Sequence, residues 1–154
     1  MSKKRFIISI VCLILVGWGL TTVFVYKSFY EARKGRDDIF TYVKDNRQSL
    51  LENIQQSGMK KKNLKEIGRI EKSNIQEINQ NTLSFRWESS GIAPSGFERG
   101  FYYTADNTPA CGVIWIDEEL SQDGQGYSWK ESDGDNSYYT EKICDNFFYY
   151  EASN

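Results

Sequence analysis

The sequence predicts an α+β protein: one N-terminal transmembrane helix, then an amphipathic helix packed on a small antiparallel β-meander sheet. Three observations carry that expectation. Residues 6–26 form an apolar run with no charge and no proline. Residues 37–57 repeat apolar side chains at helical spacing. From Leu64 onward, short strand-like runs alternate with clusters of Gly, Asp, Asn and Ser. The expected organisation is a cytoplasmic segment at 1–5, the membrane helix at 6–26, and a juxtamembrane and amphipathic helix with a basic connector at 27–63. An antiparallel β domain follows at 64–154.

The run FIISIVCLILVGWGLTTVFVY, residues 6–26, has the length to cross a hydrocarbon core of about 30 Å at roughly 1.5 Å per residue. Trp18 and Tyr26 are amphipathic aromatics, and Tyr26 falls where an interface belt would sit. A compact part of this size could not wrap such a helix on every side. The competing reading, a cleaved signal peptide, meets a run longer than a typical h-region and no A-x-A-like site after it. Cys12 lies mid-run behind Val11, which is the wrong context for lipidation. Lys3, Lys4 and Arg5 abut the run on one side, whereas of Lys27, Arg33, Lys34 and Arg36 only Lys27 is close on the other. That asymmetry, and a following domain long enough to translocate whatever its charge, place the C-terminal domain outside the cytoplasm. The chain has no N-x-S/T sequon, which is compatible with a bacterial source.

Between residues 37 and 57, Ile39, Phe40, Val43, Leu50, Leu51 and Ile54 share one stripe. Asp37 and Asp38 suit the start of a helix and Gly58 its end. The stripe is read as facing the core. Met59 to Leu64, with Lys60, Lys61 and Lys62, reads as a hydrophilic connector. Expected strands are 66–71, 82–88, 99–104, 111–116, 126–130, 137–143 and 147–151. Expected turns are 89–96, 105–109, 122–126, 132–136 and 145–146. Short turns between closely spaced strands imply an antiparallel meander.

Composition excludes several chemistries. The net charge of −2 divides into +7 over residues 1–80 and −9 over residues 81–154. An acidic C-terminal half repels phosphate backbones, so nucleic acid is not an expected partner. The basic half lies beside the expected anchor, where its charges either meet lipid headgroups or form a solvated face. There is no histidine, which removes Ser-His-Asp and Cys-His catalysis and His-ligated zinc or haem. With Cys111 and Cys144 alone outside the anchor, four-cysteine zinc and iron–sulfur sites are also out of reach. No residue set points to a cofactor.

Fifteen of the 74 residues from 81 to 154 are aromatic, many as adjacent pairs. Adjacent strand residues face opposite sides, so aromatics must lie on both faces of the sheet. One face can pack on the 37–57 helix. The other either packs across strands or displays Tyr102, Trp115, Trp129, Tyr138 and Tyr149 as a ligand face for a protein, peptide or glycan. Asp123, Asp133, Asp135 and Asn136 fail the EF-hand spacing and read as Asx-Gly turn chemistry. Asp117, Glu118 and Glu119 close an apolar run. They are the basis of the alternative function, a carboxylate-dependent hydrolase of cell-wall glycan. Cys111 and Cys144 sit at expected strand ends and are candidates for a disulfide in an exported domain.

A hydrophobic N-terminal helix, a helical extension, an antiparallel sheet and a late cysteine pair resemble in layout the type IV pilins and their minor relatives. The resemblance implies an assembly subunit. Lys3, Lys4 and Arg5 lead directly into FIISI, without the small residue and early Glu of the pilin signature, so no site residue carries over. The expected function is a membrane-anchored, extracytoplasmic, non-catalytic binding module at the cell surface, with the lipid bilayer as one partner.

Overall fold

The computed structural model describes residues 21–22, 33–66, 68, 70–92, 95–116 and 119–153. Chain contacts divide it into two units, Met1–Asp38 and Ile39–Asn154. Of the first unit, Thr21, Thr22 and residues 33–38 are described, and all are helical. The expected membrane span at 6–26, Thr21 and Thr22 excepted, lies outside the described residues. No helix among the described residues is long and apolar enough to cross a membrane.

The second unit is a helix on a seven-stranded antiparallel sheet. Helix α1 spans 33–57 across the unit boundary. The strands are β1 (Ile75–Glu77), β2 (Thr82–Ile92), β3 (Ser95–Thr104), β4 (Ser121–Asp123), β5 (Gly126–Lys130), β6 (Ser137–Cys144) and β7 (Phe147–Ser153). Their order in the sheet is β1-β2-β3-β7-β6-β5-β4. The sheet is therefore two meanders, β1-β2-β3 and β4-β5-β6-β7, zipped together along β3 and β7.

From residue 39, the apolar stripe of α1 packs on one face as the sequence implies. Ile39, Val43, Leu50 and Ile54 are buried against Leu83, Phe85, Phe101, Ile143, Phe147 and Tyr149. Phe85 pairs with Phe101, and Phe101 with Tyr149. The rings of Phe85 and Phe101 stack at 4.9 Å. Pairs of this kind are the unit of sheet stabilisation. The opposite face carries Tyr102, Phe148, Tyr150, Tyr138 and Ala152, also buried. Its cover is the connection from β3 to β4. This segment must travel from the third strand position to the far edge, and it does so with Val113 and Ile116 pressed onto those rings.

Several expected elements differ. Residues 126–130 are β5 as expected, but 66–71 is not a strand among its described residues. Glu66 is irregular, Gly68 turns with φ of 56°, and Ile70 makes an isolated bridge. Leu64 and Ile70 serve instead as plugs of the helix-side core. Residues 111–116 are bends and turns rather than a strand. Val113 and Ile116 point inward while Ile114 and Trp115 point out, a spacing of three that no strand can produce. The 89–96 cluster is mostly strand, because β2 runs to Ile92 and β3 begins at Ser95. The short edge strand β4 occupies part of an expected turn.

The expected Cys111–Cys144 disulfide is not formed; both residues are thiols. Cys111 packs on the crossover side of the sheet and Cys144 on the helix side. A register shift between Lys142 and Cys144 accounts for the second placement. A bulge inserts one residue and moves the next side chain to the other face. With the sheet between them, the two sulfurs cannot approach bonding distance.

Leu50 is fully buried in this packing. Leu50→Ala should destabilise the chain by about 2–4 kcal/mol through lost burial and a cavity. Denaturant unfolding checks this. A change under about 0.5 kcal/mol, the range of a surface site, would mean that α1 contributes nothing to the core.

Candidate binding ridge and its grooves

The crossover segment is held down by two buried tyrosines. Tyr102 on β3 stacks on Phe148 at 5.4 Å, and Tyr138 on β6 stacks on Tyr150 at 6.2 Å. Their hydroxyls meet the crossover backbone. The Ala110 N–H donates to the Tyr102 hydroxyl at 3.1 Å. The Gly112 N–H donates to the Tyr138 hydroxyl at 2.7 Å. That hydroxyl donates in turn to the Ala110 carbonyl at 3.1 Å. Thr140 donates its own proton to the Tyr149 carbonyl at 2.7 Å. The 2.7 Å contact between Tyr102 and Thr140 is thus a bond that Tyr102 donates. Gly112 is required by close approach: a Cβ there would lie 2.9 Å from the Tyr102 ring and 3.1 Å from that of Tyr150.

Pinned at 110–112 and with Val113 turned inward, the crossover presents the two residues after it to solvent. Ile114 is 67% exposed and Trp115 38%. Trp115 meets Trp129 of β5 edge to face at 6.2 Å. Two open grooves flank this ridge. One, of about 580 Å³, is lined by Ile78, Asn79, Val113, Ile116 and Glu119, with the Cys111 thiol. The other, of about 310 Å³, lies between Ile114–Trp115 and the β2–β3 hairpin, which contributes Ser89, Ser90, Phe97 and Glu98; Gln76 of β1 completes it.

Glu98 gives the second groove its charge. Its carboxylate lies 3.7 Å from the Arg86 guanidinium, which is itself fixed by the Asn74 side chain at 2.9 Å. Partial burial raises the Glu98 pKa and the Arg86 charge opposes the rise. Elsewhere, the Arg99 guanidinium is buried on β3 and bonded to Glu88 at 2.9 Å. Among the described residues no buried side-chain nitrogen or oxygen lacks a hydrogen-bond partner.

The five aromatics expected to form a ligand face do not share a surface. Tyr102 and Tyr138 are buried under the crossover. Tyr149 is buried on the helix side, with Phe40 at 5.8 Å and its hydroxyl bonded to Glu151. Tyr102, Tyr138 and Tyr149 are therefore corrected to core residues, because the crossover segment covers the face left open in the expected meander. Trp115 and Trp129 do come together at the surface. Asp117 and Glu118 lie outside the described residues; Glu119, Asp123, Asp133 and Asp135 are exposed. Among the described residues no cluster of three His, Cys, Asp or Glu is arranged to hold a metal ion. Sequence reasoning missed Ile114, Glu98, Ser89 and Ser90. Pro109 and Gly112, which bracket the start of the run, were the available signal against a strand there.

No protein-family model, no curated protein and no solved structure matches this chain.

Two outcomes are expected from the clamp. Tyr138→Phe strands the buried Gly112 N–H, so stability should fall by about 1–3 kcal/mol, read from the denaturant midpoint. Equal midpoints for the two proteins would remove the clamp. The second outcome concerns alkali. Burial pushes the Tyr102 pKa up to about 12, against its hydrogen bonds with Thr140 and Ala110, which lower it. Burial likewise raises Tyr138 and Tyr150. A raised phenol favours the neutral form in the folded state. Its stabilisation is complete below the ordinary value of 10.0 and is lost as the pH climbs to about 12. Tyrosinate absorbance should therefore show the exposed tyrosines ionising first. A late, cooperative step should coincide with loss of near-UV circular dichroism. Smooth ionisation of all tyrosines without unfolding would contradict the burial.

Proposed function

We propose that this chain is a membrane-anchored, extracytoplasmic domain that binds another molecule at the cell surface and catalyses no reaction. The single observation that carries the reading is the exposed Ile114–Trp115 ridge. It is an apolar feature held in place by buried hydroxyls and flanked by two open grooves. Exposed aromatics on a braced support suit recognition, since they offer large contact area at low conformational cost. The uncharged run at 6–26 and the Lys3–Arg5 cluster support the anchor and its direction. The −9 charge over residues 81–154 speaks against nucleic acid as partner. A pilin-like assembly subunit is the special case in which the bound molecule is another subunit. The competing hydrolase reading needs two facing carboxylates. The smaller groove is lined by one described carboxylate, Glu98, and its neighbour is Arg86.

The full chain should sediment with membranes and resist carbonate extraction, whereas residues 37–154 alone should remain soluble. Protease added outside intact spheroplasts should degrade the C-terminal domain. A full chain that is soluble without detergent would remove the anchor. A domain protected until the membrane is permeabilised would reverse the orientation.

A further inference from the structure

Two surfaces of opposite charge lie on the two sides of the sheet. Residues 100–129, which run from β3 through the crossover to β5, include Asp106, Asp117, Glu118, Glu119 and Asp123 and no Lys or Arg. The two grooves beside the Ile114–Trp115 ridge have Glu119 and Glu98 as their charged lining, and no described Lys or Arg lines either. On the helix side, the connector at 58–65 carries Lys60, Lys61, Lys62 and Lys65 and no acid. We propose that the acidic crossover surface of one copy receives the basic connector of a second copy in a head-to-tail contact. The inference rests on the surface-binding reading above and names its partner.

The connector is held in shape by groups other than its lysine side chains. Leu64 is buried in the helix-side core. The Lys65 N–H donates to the Asn53 side chain at 3.1 Å, and the Asn63 amide donates to the Ser57 carbonyl at 3.0 Å. The Lys61 N–H donates to the Glu77 carboxylate at 2.6 Å. With its backbone tied to α1 and β1, the segment leaves Lys60, Lys62 and Lys65 exposed. Lys60 also lies 3.6 Å from Glu77, a surface pair of little energetic weight. A loop already ordered loses less entropy on binding.

The crossover surface answers ammonium groups in two ways. Carboxylates attract them directly, and an exposed indole attracts them through its ring face. Trp115 is exposed and held edge to face against Trp129. Glu98 shares its charge with Arg86 at 3.7 Å, so the exposed Glu119 and Asp123 carry most of the described attraction. Lysine stems can lie along exposed Ile114 while their charged ends reach these groups. The chain thus carries the complement of its own acidic surface. Leu64 fixes the connector on the helix side, whereas Val113 and Ile116 fix the ridge on the other side, so the sheet separates the two within one copy. Contact between like surfaces sets acid against acid or Lys against Lys and is opposed. Contact between unlike surfaces of two copies is heterologous, and it continues as a row or closes as a ring.

The test uses the full chain in detergent micelles, as an equal mixture of heavy-nitrogen-labelled and unlabelled protein. A carbodiimide joins a lysine amine to a carboxylate in contact with it, forming an amide with loss of water. Peptide mass spectra then tell links between copies from links within one. Links between copies are expected from the connector lysines to Glu98, Glu119 or Asp123. Sedimentation velocity should show association that is lost in about 1 M salt, where the screening length is about 3 Å. Lys62→Glu with Lys65→Glu should raise the dissociation constant about tenfold or more, a loss of about 1.4 kcal/mol. Glu119→Lys with Asp123→Lys should do the same, and an equal mixture of these two proteins should associate again. Trp115→Ala should weaken association severalfold, and Lys44→Glu, an exposed site on α1, should leave it unchanged. Circular dichroism of each variant separates lost association from lost fold. Absence of links between copies overturns the proposal, as does association that survives salt, or folded charge-reversed variants that stay monomeric when mixed. Connector amines shielded by phosphatidylglycerol vesicles but not by phosphatidylcholine vesicles, with no link between copies, assign the basic segment to lipid. That result also overturns the proposal but leaves the surface-binding reading standing. A cytoplasmic domain in the protease experiment overturns that wider reading independently of any cross-link.

Discussion

The zipper between β3 and β7 imposes the constraint on which the rest of the structure depends. Seven residues of each strand pair in register, from Phe97↔Ser153 to Tyr103↔Phe147. The paired stretch carries Phe101 and Tyr149 toward one face and Tyr102 and Phe148 toward the other. A strand pair with large rings on both sides cannot leave either side to water without losing most of its burial. Two covers are therefore obligatory. Helix α1 supplies one through its apolar stripe. Among the described residues of this unit there is no second long helix to supply the other, and the connection between the two meanders does it. The crossover from β3 to the far edge is thus a structural cover as well as a link.

A crossing loop is a poor cover in one respect. It has no ladder of its own, and its backbone groups must be satisfied by other means. The tyrosines solve this because each joins an apolar ring to a polar tip. Tyr102 and Tyr138 bury their rings in the sheet face and send hydroxyls up to the backbone at 110 and 112. The same hydroxyls would be costly orphans if the crossover were absent. Loop and sheet therefore depend on each other, and the Gly112 position follows from the closeness of the rings beneath it. Beyond the pinned residues Val113 and Ile116 turn inward, and between them Ile114 and Trp115 are exposed. Recognition surfaces are commonly drawn from such loops on rigid supports.

Much of the unit was legible where one period dominates. The helical stripe of 37–57 is unambiguous because Val43, Leu50 and Ile54 recur at spacings of seven and four. Strands β5, β6 and β7 are legible because turn residues bracket dense aromatic and β-branched runs. The failures share a cause: local composition was right and tertiary context decided the outcome. CGVIWI is apolar and β-branched enough for a strand apart from its glycine, yet its backbone donor at Gly112 goes to the Tyr138 hydroxyl and the run forms bends and turns. Within EIGRIE, Ile70 fills the core from an irregular path. The register shift before Cys144 is invisible in sequence, and it places that thiol on the face opposite Cys111. Residues 6–26 were read on hydrophobicity and length, and that reading belongs to the sequence.

The functional reading turns on how the aromatic excess is spent. Fifteen rings in 74 residues suggested a displayed face. Most are instead internal, and their polar tips are consumed inside the fold: Tyr102 by Thr140 and Ala110, Tyr138 by Gly112 and Ala110, Tyr149 by Glu151. A group whose hydrogen bonds are already satisfied has little to offer a ligand. Burial also raises the phenol pKa values of Tyr102 and Tyr138, which opposes their use as acids or bases near neutral pH. What is left over for contact is therefore small and local. Trp115 is the large ring with both exposure and a fixed orientation, and the polar groups nearest it on the hairpin are hydroxyls and one braced carboxylate. The sheet needs its aromatics for stability, and the segment that covers it is the one that leaves Ile114 and Trp115 exposed.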